Sequence, residues 1–239
     1  MKRERIKTGI PGLDEILGGG LLRGSTITLS GPTGCGKSTF GMQFLVGGAL
    51  EDNESGLYIS LEESKESTYF HMGGFNWDLE KLEKEKKLVF LDYPIYEVDQ
   101  LLSQNSAIME LINTMGIKRV VIDSIMPLAL HFNNDDERKR GFLKLMDNIR
   151  KWNTTTMVVS EDTPATTQDV LPDTKYGLET FTEGWIHIYS MYSPKGNERT
   201  KAVEVLKMKG IKHSSKIYPA EMTDDGFIIR SKTKKKKSK

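Results

Sequence analysis

Residues 31 to 39 read Gly-Pro-Thr-Gly-Cys-Gly-Lys-Ser-Thr. Gly31, four intervening residues, Gly36, Lys37 and Ser38 satisfy the phosphate-loop pattern without a gap. Glycines at this spacing let successive backbone N–H groups turn inward around phosphate oxygens, a path that side chains would obstruct. Gly31, Pro32, Thr33, Gly34, Cys35, Gly36, Lys37, Ser38 and Thr39 therefore form a candidate cradle for a nucleotide. Lys37 is placed to reach the β- and γ-phosphates, and the Ser38 hydroxyl to ligate Mg²⁺. ATP and Mg²⁺ are the expected cofactors. Cys35 lies near a helix N-terminus, where the dipole lowers a thiol pKa and favours the reactive thiolate. It is either a thiol that bound ATP protects or an inert filler whose backbone N–H alone is needed.

A phosphate loop also needs a metal partner and a group that activates water. "RVVIDS" (119–124) is an apolar strand ending in Asp123, from which a carboxylate can hold a Mg²⁺-bound water. Glu62 and Glu63 end the apolar stretch "GLYISL" (56–61), where side chains project from the carboxyl edge of a sheet. Either carboxylate could orient and deprotonate the attacking water. Both could equally be the acidic first turn of a following helix.

The elements that must hold these groups follow from the apolar pattern. "STITLS" (25–30) is β-branched and apolar, and "STFGMQFLVGGAL" after the loop carries Phe40, Phe44, Leu45 and Ala49 at near-helical spacing. Strand, loop and helix in that order point a helix N-terminus at the phosphates. Residues 56–61, 87–92, 119–124 and 155–160 read as further short buried strands. One helical stripe carries Leu102, Ile108, Leu111, Ile112 and Met115; another carries Phe142, Leu145, Met146, Ile149 and Trp152. Asp135, Asp136 and Glu137 open the second, where the helix dipole favours them. Alternating strands and helices predict a mostly parallel sheet flanked by helices. Residues 185–190, 202–208 and 226–230 lack long helices between them and are expected as C-terminal antiparallel strands.

A chain of 239 residues with net charge +1 and one cysteine fits a globular protein in a reducing cytoplasm, without a disulfide framework. No apolar run approaches a membrane span, and the N-terminus lacks an apolar signal region. The charge is uneven. The last nine residues hold six lysines, so the remainder carries 28 basic (34 − 6) against 33 acidic residues, or −5. Residues 1–230 are expected as one domain and 231–239 as a disordered tail, either a solvated extension or a contact for nucleic acid or another anionic surface.

"TGIPGLDEILGGGLLRGS" (8–25), "GPTGCGKST", "SLEES" (60–64), "VVIDS" (120–124) and "EVLKMKGIKHS" (204–214) together resemble the KaiC-like branch of RecA-type ATPases, in order from Thr8 to Ile229. The resemblance implies a RecA-like phosphate-loop fold and a homo-hexameric ring with ATP between neighbouring subunits. By position it matches Glu62 and Glu63 to the family's catalytic pair and Asp123 to its metal-side aspartate. Ser160 matches a polar residue at the tip of the strand beside the phosphate loop. The family's neighbour-subunit contacts fall on Lys207, Met208, Lys209, Ile211 and His213, and on Thr223 and Asp224. It also places Glu179 and Thr180 on a Ser-Thr pair that accepts phosphate in one half of the clock protein. Lys209 stands where the family usually carries an arginine reaching the γ-phosphate. Lysine keeps the charge but loses the planar fork, so turnover is expected to be slow.

The leading reading is a slow Mg²⁺-dependent ATPase that assembles as a ring and regulates through nucleotide-dependent shape. The second is a non-hydrolysing ATP sensor that regulates a larger machine, of a motility or gas-vesicle kind. A DNA recombinase is the third, since RecA shares the architecture. Against it, the candidate DNA loop at 161–184 holds six carboxylates and one lysine, the wrong balance for a polyanion. The basic tail alone keeps nucleic acid in play.

Overall fold

The computed structural model describes residues 4–93, 97, 100–162, 171–192 and 198–231. Its centre is a nine-stranded sheet in the order β11-β10-β9-β8-β3-β7-β6-β4-β5. The parallel part comprises β3 (Thr26–Gly31), β4 (Ser55–Ser60), β5 (Leu88–Asp92), β6 (Ile117–Asp123), β7 (Thr155–Glu161) and β8 (Gly184–Tyr192). Antiparallel strands β9 (Arg199–Met208), β10 (Tyr218–Thr223) and β11 (Gly226–Ile229) extend it. A separate pair, β1 (Arg5–Ile6) and β2 (Leu21–Leu22), flanks the short helix α1 (Leu13–Ile16).

Strand side chains alternate between two apolar layers, as a period of two requires. Tyr58, Val121, Met157 and Val159 face one core with Phe40, Met42 and Phe44 of α2 (Lys37–Glu51). Leu57, Ile59, Val120, Ile122 and Val158 face the other. There they meet α6 (Asn105–Met115), α7 (Met126–His131) and α8 (Asp135–Trp152). The glycines inside α2 answer to this packing. A Cβ at Gly41 would lie 2.9 Å from Val121, and one at Gly48 only 2.4 Å from Arg119 Nε.

Arg119 itself is fully buried in β6. It donates from Nε to Glu54 at 2.7 Å, from Nη2 to Asp52 at 2.6 Å and from Nη1 to the Phe44 carbonyl at 3.1 Å. Burial alone would raise the Glu54 carboxyl, but Arg119 and Arg23 outweigh it and hold it below the usual range.

The expected strands all form, within three residues at each end, and Asn134 caps α8 through Glu137 N at 2.9 Å. Two expectations change. The stripe from Leu102 to Met115 is broken at Gln104 into α5 (Gln100–Ser103) and α6. Side-chain bonds to α8 compete there with a continuous helix: Asn148 reaches the Leu102 carbonyl at 3.4 Å and Trp152 the Asn105 side chain at 2.8 Å. β10 was not among the strands read from the sequence, and Pro219 within it lacks a ladder donor. It is instead recruited between β9 and β11. Helices α3 (Lys65–Met72) and α4 (Leu79–Lys84) lie between β4 and β5. The lysine-rich tail from 232 falls outside the described residues, as does 163–170 of the acidic loop.

Candidate functional site

β3 ends at Gly31 and α2 begins at Lys37, so the sheet delivers the loop to the helix N-terminus. Gly36, with φ 105°, makes the turn into α2. Left-handed backbone of this kind strains any residue with a Cβ. Lys37 Nζ donates to two carbonyls of its own loop, Gly31 at 2.8 Å and Pro32 at 3.2 Å. Lys201 arrives from β9 and donates to the Cys35 carbonyl at 2.7 Å and the Gly34 carbonyl at 3.3 Å. Cys35 is wholly enclosed, and burial pushes its thiol up rather than down. Of the two readings of Cys35, burial favours the inert filler: desolvation outweighs the nearby lysines.

Register brings the metal-side groups together. β4 and β6 are neighbours with Ser60 opposite Asp123, so both strands end at the same level. Tyr58 donates to Asp123 Oδ2. Burial raises the Asp123 carboxyl, while the Tyr58 and Ser38 hydroxyls and Lys37 draw it back. Glu62 follows β4 and accepts from the Ser124 hydroxyl. Burial raises its carboxyl too, and the charges of Asp123 and Glu161 add to this. Glu63 also lies within electrostatic reach of Asp123, but its hydrogen bonds go to the next helix. Its Oε2 accepts from Ser67 Oγ at 3.2 Å and lies 3.1 Å from His71 Nδ1, both on α3. Ser160 is buried opposite Ser30 on the adjoining strand.

The residues matched to a neighbour's nucleotide divide into two groups. Thr223 and Asp224 turn the β10–β11 hairpin, which packs on this chain's own loop: a Cβ at Gly36 would lie 2.8 Å from Met222 and 2.9 Å from Phe227. Asn76 N bonds the Asp224 carbonyl at 2.8 Å. Lys207, Met208, Lys209, Ile211 and His213 belong to the opposite edge. Met208 pairs with Gly184, and Gly184 with Ile27 at the start of β3. Ile27 lies four residues before Gly31, about 13 Å along the strand. Lys207 Nζ holds the Glu179 carbonyl there at 2.7 Å, and Lys209 N the Glu183 carbonyl at 2.9 Å. Thr180 shares that edge, its hydroxyl donating to the Gly177 carbonyl at 2.7 Å.

Tyr58, Ser124, Lys201 and Glu161 were not singled out from the sequence. Tyr58 reads there as one more apolar strand residue, and Lys201 as one more surface lysine. Only strand register, which puts β4 beside β6 and Lys201 opposite Ser190, brings them to the loop.

This arrangement defines an α/β phosphate-loop fold whose strands end in a carboxylate-lined cradle. Residues 6–234 match the family described as "ATPase: KaiC". The circadian clock oscillator protein KaiC of Synechococcus elongatus is 31% identical over 94% of this chain but 44% of its own length. A UPF0273 protein of Methanocaldococcus jannaschii is 30% identical over 95% of this chain and 96% of its own. The crystal structure of a KaiC-like protein from Pyrococcus horikoshii OT3 superposes with TM-score 0.81 at 34% identity, covering 95% of this chain and 99% of that one. The chain belongs to the KaiC family of RecA-type ATPase domains. It spans less than half the length of the clock proteins it matches. No helix among the described residues is long and apolar enough to cross a membrane.

Proposed function

We propose that this chain is a slow Mg²⁺-dependent ATPase, cytoplasmic and regulatory, that assembles as a homo-hexameric ring with ATP shared between neighbours. One observation carries the reading: the residues matched to the nucleotide occupy two opposite edges of one sheet. Gly31–Thr39, Asp123 and Glu62 lie at one edge and Lys207–His213 at the other. A single copy does not bring both sets to one phosphate. A head-to-tail neighbour would, and such contacts form a ring where the rotation between copies closes.

In this reading Lys37 exchanges the Gly31 and Pro32 carbonyls for the β- and γ-phosphates, and Thr223 and Asp224 flank the same nucleotide from the hairpin. The hydroxyl of Ser38 and the half-buried carboxylate of Asp123 are oxygen donors suited to a hard divalent cation, and they would hold Mg²⁺. When bound, Mg²⁺ neutralises charge developing on the transferred phosphoryl group. Glu62 takes the proton from the attacking water. Glu63 steadies the start of α3, and Lys209 of the next copy contributes charge to the γ-phosphate. The sensor reading keeps the same site but no turnover. Lys209 in place of the family's arginine favours it; the placement of Glu62 favours the enzyme.

Mixing two variants tests the shared site. Lys37→Ala and Lys209→Ala should each release little phosphate alone, and their mixture should recover part of the wild-type rate through mixed interfaces. A mixture no more active than its parts, with assembly intact, refutes the shared site. Wild-type rings that bind ATP without releasing phosphate leave the sensor.

A further inference from the structure

A polar cluster lies buried beside the phosphate loop and has no part in the chemistry above. Asp162 follows β7, and its side chain is 8% exposed. Its Oδ2 lies 3.5 Å from His187 Nδ1, and its Oδ1 is buried without a hydrogen-bond partner among the described residues. His187, buried on β8, has the same Nδ1 at 2.9 Å from Ser30 Oγ. Ser30 is wholly buried immediately before Gly31, and its Oγ accepts from Trp185 Nε1 at 2.7 Å. The indole N–H only donates, so the single Ser30 proton is left for His187 Nδ1 or for Asp162. The strand that launches the phosphate loop is thus held by bonds that one proton rearranges.

Other titratable groups face Asp162 from each neighbouring element: Glu161 on its own strand, Lys37 on α2, Cys35 in the loop and Tyr189 on β8. Tyr189 turns its hydroxyl to Glu204 of β9, at 2.6 Å. Among these, Lys37 is the cation, and it is the group that phosphates recruit. His187 does not supply a second positive charge: burial, and then Lys37, hold its imidazole down at about 4. Burial pushes Asp162 up to about 7, with Ser30, Lys37 and the Gly31 N–H only partly opposing it. A nucleotide brings negative phosphates to Gly31–Ser38 and engages the Lys37 charge. Both changes disfavour an ionised carboxylate in surroundings of low dielectric.

Resting on the nucleotide-binding reading of Gly31–Thr39, we propose that Asp162 is a positioning residue for the phosphate loop that takes up a proton when nucleotide binds. The proton comes from solvent, ends on a carboxylate oxygen and turns Asp162 from acceptor to donor within the Ser30–His187 cluster. Affinity then rises as pH falls. If binding lifts Asp162 by one further unit from about 7, affinity at pH 8 is about fivefold weaker than at pH 6.

Calorimetric titration of the full chain with Mg-ADP at pH 6 and pH 8 tests this, with pH 7 runs in two buffers of different ionisation enthalpy. The unaltered protein should bind about fivefold more weakly at pH 8, with proton uptake beyond that of the nucleotide itself. Asp162→Asn should lose the extra uptake and the fivefold difference, and keep only the pH dependence that the nucleotide itself brings. Binding by the unaltered protein that is independent of pH overturns the proposal, as does an Asp162→Asn profile identical to it. If Asp162→Asn does not fold, the two-buffer comparison on the unaltered protein decides. Absence of Mg-ADP binding at both pH values overturns the nucleotide reading as well, a result distinct from pH-independent binding.

Discussion

The Ser124 hydroxyl donates to Glu62 Oε1 between the ends of the adjacent strands β4 and β6, one residue beyond Asp123. This bond separates two glutamates that are adjacent in the chain. Ser124 holds Glu62 within reach of Asp123, which repels it, and of Lys37, which attracts it, while Glu63, whose charge also reaches Asp123, accepts from Ser67 and lies beside His71. Glu62→Gln should retain nucleotide and assembly but lose about 10²–10⁴-fold in phosphate release, the usual contribution of a general base. Glu63→Gln should lose much less. Equal losses in the two variants would show that the division of roles is wrong.

The elevated Glu62 carboxyl also sets a pH dependence. The base must be ionised, and burial holds its pKa above the ordinary carboxylate range. Turnover should therefore rise as pH climbs through that raised value and level off above it. Rates measured at saturating Mg-ATP read this limb, and a rate that falls across it contradicts a carboxylate base.

Lys209→Arg should raise turnover in an assembled ring. A planar guanidinium gives two parallel bonds to phosphoryl oxygens where an ammonium gives a point charge. Steady-state phosphate release per assembled subunit is the measurement. A slower variant with intact assembly would mean that the lysine is fitted to its interface.

Arg119→Met should destabilise the fold by about 3–5 kcal/mol, because it takes the buried cation from between Asp52 and Glu54 and leaves Glu54 with Arg23 alone. Denaturant midpoints at neutral pH measure it. Glu54 is held below its unfolded pKa, so its contribution is present above the ordinary carboxylate value. It is lost as pH falls through the depressed folded value. The wild-type advantage over Arg119→Met should shrink in that acid range.

Cys35 should alkylate slowly in the folded chain with or without Mg-ATP, and quickly in urea. Its side chain is wholly buried and its thiol is raised, not lowered. Rapid labelling of the native protein that ATP suppresses would restore the exposed-thiolate reading.

What was legible in the sequence is what neighbouring residues decide among themselves. Gly31 to Ser38 specify a phosphate loop because the backbone turn, the lysine and the hydroxyl all belong to one short segment. Apolar runs of strand length announced the core strands, and the 3.6-residue stripe announced α8, because burial on a given face imposes that period. The tertiary structure decided whatever depends on which strands are neighbours and in what register. It placed β6 beside β4, and so Ser124 against Glu62 and Tyr58 against Asp123. It enclosed Cys35, where desolvation outweighs the charges of Lys37 and Lys201 and decides between two readings that local sequence left open. It drew Pro219 into a ladder on the strength of the β10–β11 hairpin, against local preference. The same register separates Lys207–His213 from the loop of their own chain by the length of β3, and brings Asp162 and His187 to Ser30 across three strands. Sequence order carries no sign of such distances, because a sheet sorts its residues by strand position and not by their place along the chain.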